Sequence, residues 1–444
     1  MIEQTEKPQP SITDSVLFKL GVIAALVILL LIPSSWIQSL ILEREGYQQI
    51  ERGGIKTSWA DTQLVQGPVL MLPYKKLITE TDSNKKTHTH EVIKMLYVLP
   101  QTLQIKGAIK TERFKKGVYD ATGYNSDLLI NGSFNKPDLA AAGIEPASVL
   151  YDKARLAFSI TDMKGLKNNP VINIQGQNYA VEPTQEETIP FNQGLQAAFP
   201  LKSEQGFTFS YKLNLNGSDK LKFLHTGRAT DVEISSDWKS PGFGDITPDD
   251  SVINDKGFTA KWHLTYYARP FPQQWVNNNY VLLKKKDADA ASFGVKLQSP
   301  IDQYRKILRA TKYSTLIILL TFVSLFLTEL IKQQRVHVFN YILIGAAMVV
   351  YYTLLLSFAE QVGFNWAYLI SSVATIGLVA AFTASLLNNK AVAITFSFIL
   401  SIFYGFIFII IQLEELSLLF GSIALFVTVA AMMYFSRKIN WDKQ

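Results

Sequence analysis

Several residue groups in this chain have the types and spacings that chemistry requires. Ser83-Asn84-Lys85-Lys86 fits the Ser-x-x-Lys of penicillin-recognising enzymes. Ser133-Phe134-Asn135 and His225-Thr226-Gly227 follow in the order of that family's second and third boxes. The context is wrong for acyl transfer. The serine must open a buried helix, where a desolvated lysine can lose its proton, yet here it lies in the polar run Thr79–His90, which reads as a hairpin tip. His88-Thr89-His90-Glu91 puts two imidazoles at i and i+2, on one face of a strand, with a carboxylate on the other face. Zinc needs at least a third ligand on the same side. No such ligand is evident, so an exposed turn is expected and no metal. His225 and His263 read as surface or internally bonded histidines. Gly242-Phe243-Gly244 sits near a proline and reads as a turn rather than a phosphate loop. The chain has no cysteine, which excludes thiolate nucleophiles, thiolate metal sites and disulfides. No catalytic residue, cofactor or metal is expected, and the protein is not expected to be an enzyme.

Ion-coupled transport would need ionisable groups at membrane depth. Glu329 and Glu360 fall at opposite ends of apolar segments, too far apart to form one relay. Gly345, Gly377 and Gly405 are isolated, and read as sites of close helix packing rather than helix breaks. A different electrostatic arrangement is expected at one membrane face. Glu360, Glu414 and Glu415 lie level with Arg305, Arg309 and Lys312, and pairing around that ring would tie a polar domain to a helical bundle.

These groups are positioned by a lopsided chain of 444 residues. One apolar segment lies at Val16–Ile32. Five more crowd the last third: Tyr313–Ile331, Val336–Ala359, Phe364–Leu387, Ala391–Leu413 and Leu416–Phe435. Each is long enough to cross ~30 Å of hydrocarbon as helix, and helices satisfy their own backbone there. The expected fold is therefore an α-helical bundle of six transmembrane helices with a large, mostly-β, sandwich-like domain inserted between helices 1 and 2. Its parts are a tail at 1–15, a signal-anchor helix at 16–33, a β-rich domain at 34–312, a five-helix bundle at 313–435 and a tail at 436–444. No small-x-small cleavage site follows the first helix, and Glu43–Glu51 is expected to continue it.

Alternation marks the insert as β. Phe207, Phe209, Tyr211, Leu213 and Leu215 alternate with polar residues and end at Asn216-Gly217, a turn signal. Phe258 to Tyr266 repeats the pattern. Further strands are expected at Val92–Leu99, Leu103–Ile109, Leu128–Phe134 and Val232–Ser236, with a short helix at Pro137–Ala142.

Charge gives a direction. Lys332, Arg335, Lys390, Arg437, Lys438 and Lys443 mark one side, while Glu360, Glu414 and Glu415 mark the other. Lys and Arg favour the cytoplasm. Both termini are thus expected on the cytoplasmic side of the membrane, with the large domain exported. The cluster Arg305, Lys306, Arg309 and Lys312 runs against that rule, which weakens after long translocated domains. The net charge of +6 comes without a basic stripe interleaved with aromatics, so no nucleic-acid partner is expected.

Ordered local patterns add a resemblance. They begin with Glu43-Arg44-Glu45-Gly46-Tyr47 and Gly67-Pro68-Val69-Leu70-Met71-Leu72-Pro73. Lys116-Gly117-Val118-Tyr119, Tyr124 and Gly132-Ser133-Phe134 follow. Next come Trp238-Lys239-Ser240-Pro241-Gly242-Phe243-Gly244-Asp245 and Gly257-Phe258-Thr259-Ala260-Lys261-Trp262. The densest run holds Asp302-Gln303-Tyr304, Arg309-Ala310-Thr311-Lys312-Tyr313, Leu320-Thr321-Phe322, Glu329, Tyr341-Ile342-Leu343-Ile344-Gly345, Leu354-Leu355-Leu356-Ser357, Glu360 and Gly363-Phe364. In these the chain resembles the CreD family of bacterial inner-membrane proteins. It departs at Val338-Phe339-Asn340, where a Pro and a Gln precede the Tyr in the family, and at Gln361, where His is expected. The resemblance implies a role in cell-envelope integrity and in envelope and antibiotic stress response, with no established catalytic residue. The expected mode of action is binding, with the lipid bilayer and peptidoglycan-associated or other envelope proteins as partners. The alternatives are a transporter or channel-like component moving an envelope-related solute, and a periplasmic hydrolase.

Overall fold

A computed structural model describes residues 16–413 apart from 82–86, 117–118, 185, 202–204, 245, 298–302, 333–335 and 388–389, with scattered positions beyond. The chain divides into a helical unit, residues 1–50 with 301–444, and a sheet unit, residues 51–300.

Helix α1 (Val16–Trp59) opens the chain and is followed by β1 (Gln63–Thr81), β2 (Thr87–Val98), β3 (Thr102–Lys116) and β4 (Tyr119–Phe134). Then come β5 (Ala154–Ile160), β6 (Val171–Ile174), β7 (Gln177–Ala180), β8 (Glu182–Thr184) and β9 (Gly194–Phe199). The next strands are β10 (Phe207–Ser218), β11 (Lys220–Leu224), β12 (Ala229–Ser236), β13 (Gly242–Phe243), β14 (Asp250–Asn254), β15 (Gly257–Thr265) and β16 (Gln274–Val276). Helix α2 (Lys285–Ala290) and strand β17 (Ser292–Lys296) close the sheet unit. The last part holds α3 (Gln303–Lys312), α4 (Ser314–Lys332), α5 (Val338–Val362), α6 (Phe364–Leu387) and α7 (Lys390–Gln412).

The sheet unit contains two sheets. One has nine strands, ordered β13-β17-β11-β1-β5-β9-β8, with β2 on β1 and β16 on β2. The other has eight, ordered β14-β15-β12-β3-β4-β10-β6-β7. The expected alternation is what builds the core: β10 buries Phe207, Phe209, Tyr211, Leu213 and Leu215 while Thr208 and Lys212 stay exposed. Those rings meet Phe134 of neighbouring β4 and Phe158 of β5 in the other sheet at centroid distances of 4.8–5.4 Å, the offset and tilted contacts that add to area burial. A second apolar cluster, including Met71, Tyr97, Phe191, Phe271 and Leu282, lies beside the main core.

Strand β1 organises the first sheet. It pairs in parallel with β11 at Gln63–Val65, antiparallel with β5 through Met71, and antiparallel with β2 from Leu70 onward. Pro73 lacks a donor, and it falls after the β5 pairing has ended, where its carbonyl accepts from the Leu150 N–H at 2.9 Å. Gly67 has φ +97°, and a Cβ there would lie 3.1 Å from the Phe158 Cα and the Ala157 carbonyl, so β1 and β5 approach too closely for a side chain.

Several expectations shift. Strand β10 runs through Asn216 and Gly217, and the left-handed residue that turns the chain is Asp219, φ +59°. Pro137–Ala142 forms a hydrogen-bonded turn, with Ile144 N–H donating to Leu139 O, rather than a helix. Gly242-Phe243 is an edge strand on β17, not a turn. Helix α1 does continue through Glu43–Glu51, reaching Trp59. Residues 34–50 and 303–312, expected in the β-rich domain, belong to the helical unit.

Six membrane helices are not what the described residues contain. Four helices are long and apolar enough to cross: Lys19–Glu51, Val338–Val362, Phe364–Leu386 and Lys390–Gln412. Gln303–Lys312 and Ser314–Leu330 make a fifth only if counted as one span bent by 41°. The described part of the expected second segment is shorter than the others, and α3 ahead of it is strongly amphipathic. The expected span Leu416–Phe435 lies largely outside the described residues, as do the tails at 1–15 and 436–444.

Candidate functional site

Every apolar helix that crosses hydrocarbon must account for its polar side chains. In the helical unit those groups gather at stations along α5.

The first station joins three helices. Glu329 of α4 is buried; its carboxylate takes the Lys19 ammonium of α1 on one oxygen and the Tyr341 hydroxyl of α5, at 3.2 Å, on the other. An ion pair with an added hydroxyl donor is the arrangement that makes a buried carboxylate tolerable. Beside it Gly345 lets Leu30 of α1 approach, where a Cβ would sit 2.3 Å from the leucine. Sequence reasoning placed Glu329 at a helix end but missed Lys19, 310 residues away. The available signal was that each is the sole charge inside its own apolar segment.

The second station is at the other end of α5. Tyr304 of α3, fully buried, donates its hydroxyl to Glu360 at 2.9 Å. Lys306 donates to Gln412 of α7 at 3.0 Å, and Gln412 donates to Asn365 of α6 at 2.7 Å. The Lys306 ammonium also lies 5.5 Å from the Phe364 ring centroid, a cation–π distance. The ends of α3, α5, α6 and α7 are thereby stitched into a polar rim. Of the expected charge ring, Glu360 takes a neutral tyrosine donor. Arg305 and Lys312 are exposed and Arg309 is half-buried. Glu414 and Glu415 lie outside the described residues.

Between the stations, Tyr351 packs edge-to-face on Tyr352 and Tyr404 at 4.8 Å each, and on Tyr368 at 6.0 Å. Tyr368 donates to the Tyr404 carbonyl at 2.8 Å. This aromatic cluster joins α5, α6 and α7 and was not foreseen.

In the sheet unit, the residues singled out for chemistry are dispersed. Ser83-Asn84-Lys85-Lys86 lies outside the described residues, between the paired ends Thr81 and Thr87. Ser133 shares a 2.7 Å hydroxyl bond with Thr102 on the neighbouring strand. His225 is fully buried, with Nδ1 at 2.9 Å from the Thr230 hydroxyl and Nε2 at 2.9 Å from the Thr265 carbonyl. The carbonyl requires Nε2–H as donor, so Nδ1 accepts, and desolvation lowers the imidazole pKa. Thr226 donates to Gly67 O at 3.1 Å, and Arg269 donates to the Thr226 carbonyl and to Gln273. Burial pulls the Arg269 pKa down to about 10. His225-Thr226-Gly227 is therefore a structural lock where strands β1, β11 and β15 meet. His88 and His90 are exposed on β2, and neighbouring Glu91 pairs with Lys75 at 2.8 Å. His263 is exposed, with Nδ1 2.6 Å from Asp231, whose hydrogen bond raises its pKa. Among the described residues, no group of three potential ligands is placed to hold a metal ion.

A helical unit of apolar spans with internal polar stations, interrupted in sequence by a large two-sheet unit, defines an integral membrane protein with an inserted β domain. The chain belongs to the CreD family: the family described as "Inner membrane protein CreD" matches residues 15–442. It is similar to Inner membrane protein CreD of Escherichia coli (strain K12), with 28% identity over 421 residues, 94% of this chain and 91% of that protein. Likeness to solved structures is slight. An M1 zinc metallopeptidase from Deinococcus radiodurans shares 9% identity over 45% of this chain and 42% of its own, at a TM-score of 0.21. A point mutant of that enzyme aligns with 39% of this chain and 41% of its own, at 10% identity and a TM-score of 0.20. Overlap at that level carries no argument about fold or activity.

Proposed function

We propose that the protein supports cell-envelope integrity and the response to envelope and antibiotic stress by binding rather than catalysis. The observation that carries the non-catalytic part is the engagement of His225. An imidazole with both nitrogens committed, and a lowered pKa, has no free position for a substrate proton. The envelope role rests on family membership. In this reading both termini are cytoplasmic and the sheet unit is periplasmic, as the Lys and Arg bias favours. Its partners are the bilayer and peptidoglycan-associated or other envelope proteins, and the polar rim is where a partner's charged groups meet the helices.

The test is complementation of an envelope-stress phenotype in a deletion strain. Ser83→Ala, His88→Ala and Ser133→Ala are expected to complement fully, while Tyr304→Phe with Glu360→Gln is expected to lose complementation at normal expression. Loss of complementation in a well-expressed Ser83→Ala or His88→Ala variant would restore the hydrolase alternative. Cross-linking from the sheet unit in intact cells, read by mass spectrometry, identifies the partner.

A further inference from the structure

The hydroxyls of the helical unit behave in two ways. Most bond their own helix: Thr321 donates to Ile317 O at 2.7 Å, Thr383 to Val379 O at 2.7 Å and Ser397 to Ala393 O at 2.7 Å. That back-bonding is the ordinary way a helix hides a hydroxyl from hydrocarbon. Tyr351, Tyr352, Ser371, Ser372 and Tyr404 are buried to at least nine-tenths, yet their hydroxyls make no hydrogen bond within 3.5 Å among the described residues, although Tyr351 has the hydroxyls of Ser372 and Tyr368 within longer reach. An unpaired hydroxyl in a buried, low-dielectric place costs roughly 1–3 kcal/mol, so five together are an expensive arrangement to keep.

They are also in one place. Tyr351 touches Tyr352, Tyr368 and Tyr404. On α6, Tyr368, Ser371, Ser372 and Thr375 recur at i, i+3, i+4 and i+7, one buried face, and Tyr368 ties that face to α7. The seam stops within the unit. The buried residues on either side of it are mostly apolar: Met348 and Ile344 on α5, Val379 on α6, and Leu400 and Phe396 on α7 away from Glu360, and Leu355, Ala367 and Ile407 toward it. A polar region enclosed by apolar layers does not lead through the bundle, so it suits a binding site rather than a conduit.

The seam also limits its occupant. The only Asp, Glu, Lys or Arg residues in α5, α6 and α7 are Glu360 and Lys390, both at helix ends. A phosphate or carboxylate would enter without a counter-charge, at a large desolvation cost. Hydroxyls both donate and accept, and the group that answers them in kind is another hydroxyl. The outward residues of α6, Leu369, Ile370 and Val373, are exposed and apolar, so what surrounds these helices is suited to an alkyl chain. We propose that α5, α6 and α7 form a binding site for the head of an uncharged lipid alcohol, bonded by Tyr351, Tyr352, Ser371, Ser372 and Tyr404. The site stands independently of the envelope role.

The experiment uses the full-length protein in phosphatidylcholine nanodiscs. The probe is a long-chain primary alcohol carrying a diazirine in its tail. The matching methyl ether, which can accept but not donate, and the matching carboxylic acid are the controls. After irradiation, labelled peptides are mapped by mass spectrometry. The alcohol is expected to label α5–α7 about tenfold above the ether, the ratio that roughly 1.4 kcal/mol of hydrogen bonding gives, with excess unlabelled alcohol suppressing the signal. Tyr351→Phe with Ser372→Ala is expected to erase that preference without lowering the protein's unfolding temperature. The wild-type contrast between alcohol and ether needs no variant, so it stands even if the double variant folds poorly. Equal labelling by alcohol and ether, or no labelling, overturns the proposal and leaves bound water as the partner of the seam. Preferential labelling by the carboxylic acid also overturns it.

Discussion

The two units bury polar side chains to different ends. In the sheet unit, Gln63 donates to the carbonyls of Asp162 and Asn216, His225 bridges Thr230 and Thr265, and Arg269 holds Thr226 and Gln273. Each ties backbone segments far apart in sequence, so polarity there works as a fastener. The Tyr211 hydroxyl and the Nε of Arg269 itself, buried with no hydrogen-bond partner among the described residues, are exceptions. In the helical unit, the ion pair at Glu329 and the Tyr368 hydroxyl fasten in the same way, but the hydroxyls of Tyr352, Ser371 and Tyr404 make no hydrogen bond among the described residues. A buried polar group that holds the chain together is explained by the fold; one that holds nothing calls for a partner from outside the chain.

That contrast can be broken at several points. The largest effect is expected from Arg269→Ala, which removes two charge-assisted hydrogen bonds and exposes the Thr226 carbonyl to a dry interior. It should destabilise by about 3 kcal/mol or more, read as a lower urea midpoint by tryptophan fluorescence. A cost below half of that would mean the fastener is decorative. Next, Lys19→Met leaves the Glu329 carboxylate buried with Tyr341 alone and should cost roughly 2–3 kcal/mol, somewhat less than a fully buried pair because Lys19 is partly exposed. Adding Glu329→Leu should recover most of that in a double-mutant cycle; no recovery would show that the two residues act separately.

Tyr351→Phe carries the sharpest sign. If its hydroxyl has no partner, removing it should stabilise the unliganded protein by about 1 kcal/mol, seen as a higher unfolding temperature in nanodiscs. Destabilisation would place Tyr351 with the fasteners. The smallest effects are expected from pH, with opposite signs at two histidines. His225 has a lowered pKa through desolvation. The unfolded chain therefore binds its proton first, and stability falls as pH drops below the ordinary value near about 6.5. His263 has a raised pKa through Asp231. Its contribution is complete below that ordinary value and is lost as pH rises through the raised one, and its exposure keeps it small. Comparing the acid limbs of His225→Asn and His263→Asn separates them, since only the first should flatten the loss below the ordinary value.

What could be read from the sequence depended on how local the cause was. The strand at Phe207–Leu215 was legible because burial on one face imposes alternation directly. The end of that strand was not, because Asn216-Gly217 carries a turn signal that pairing with Tyr124 and Asn125 overrides. Pro137–Ala142 offered a helix start, but only one hydrogen-bonded turn forms before Gly143 takes φ +65°. The partner of Glu360 was misjudged because charge was weighed and the Tyr304 hydroxyl was not. Lys19 with Glu329 depends on which helices touch, and periodicity does not report that. The seam was legible in part: Tyr368, Ser371, Ser372 and Thr375 hold helical spacing, hidden by a hydropathy average that scores the segment as simply apolar.

Strand β1 has a consequence for the order of assembly. It is the first strand made, yet its parallel neighbour is β11, and β11 in turn is edged by β17, the last strand of the unit. Neither the sheet nor its shared core can close until nearly all of residues 63–296 are available. Pairing over such separations is slow, because loop-closure entropy is lost before contacts reward it. Until then the apolar run Val69–Leu72 has no complete sheet to enter, which makes that stretch the segment for a chaperone to shield or a protease to find first.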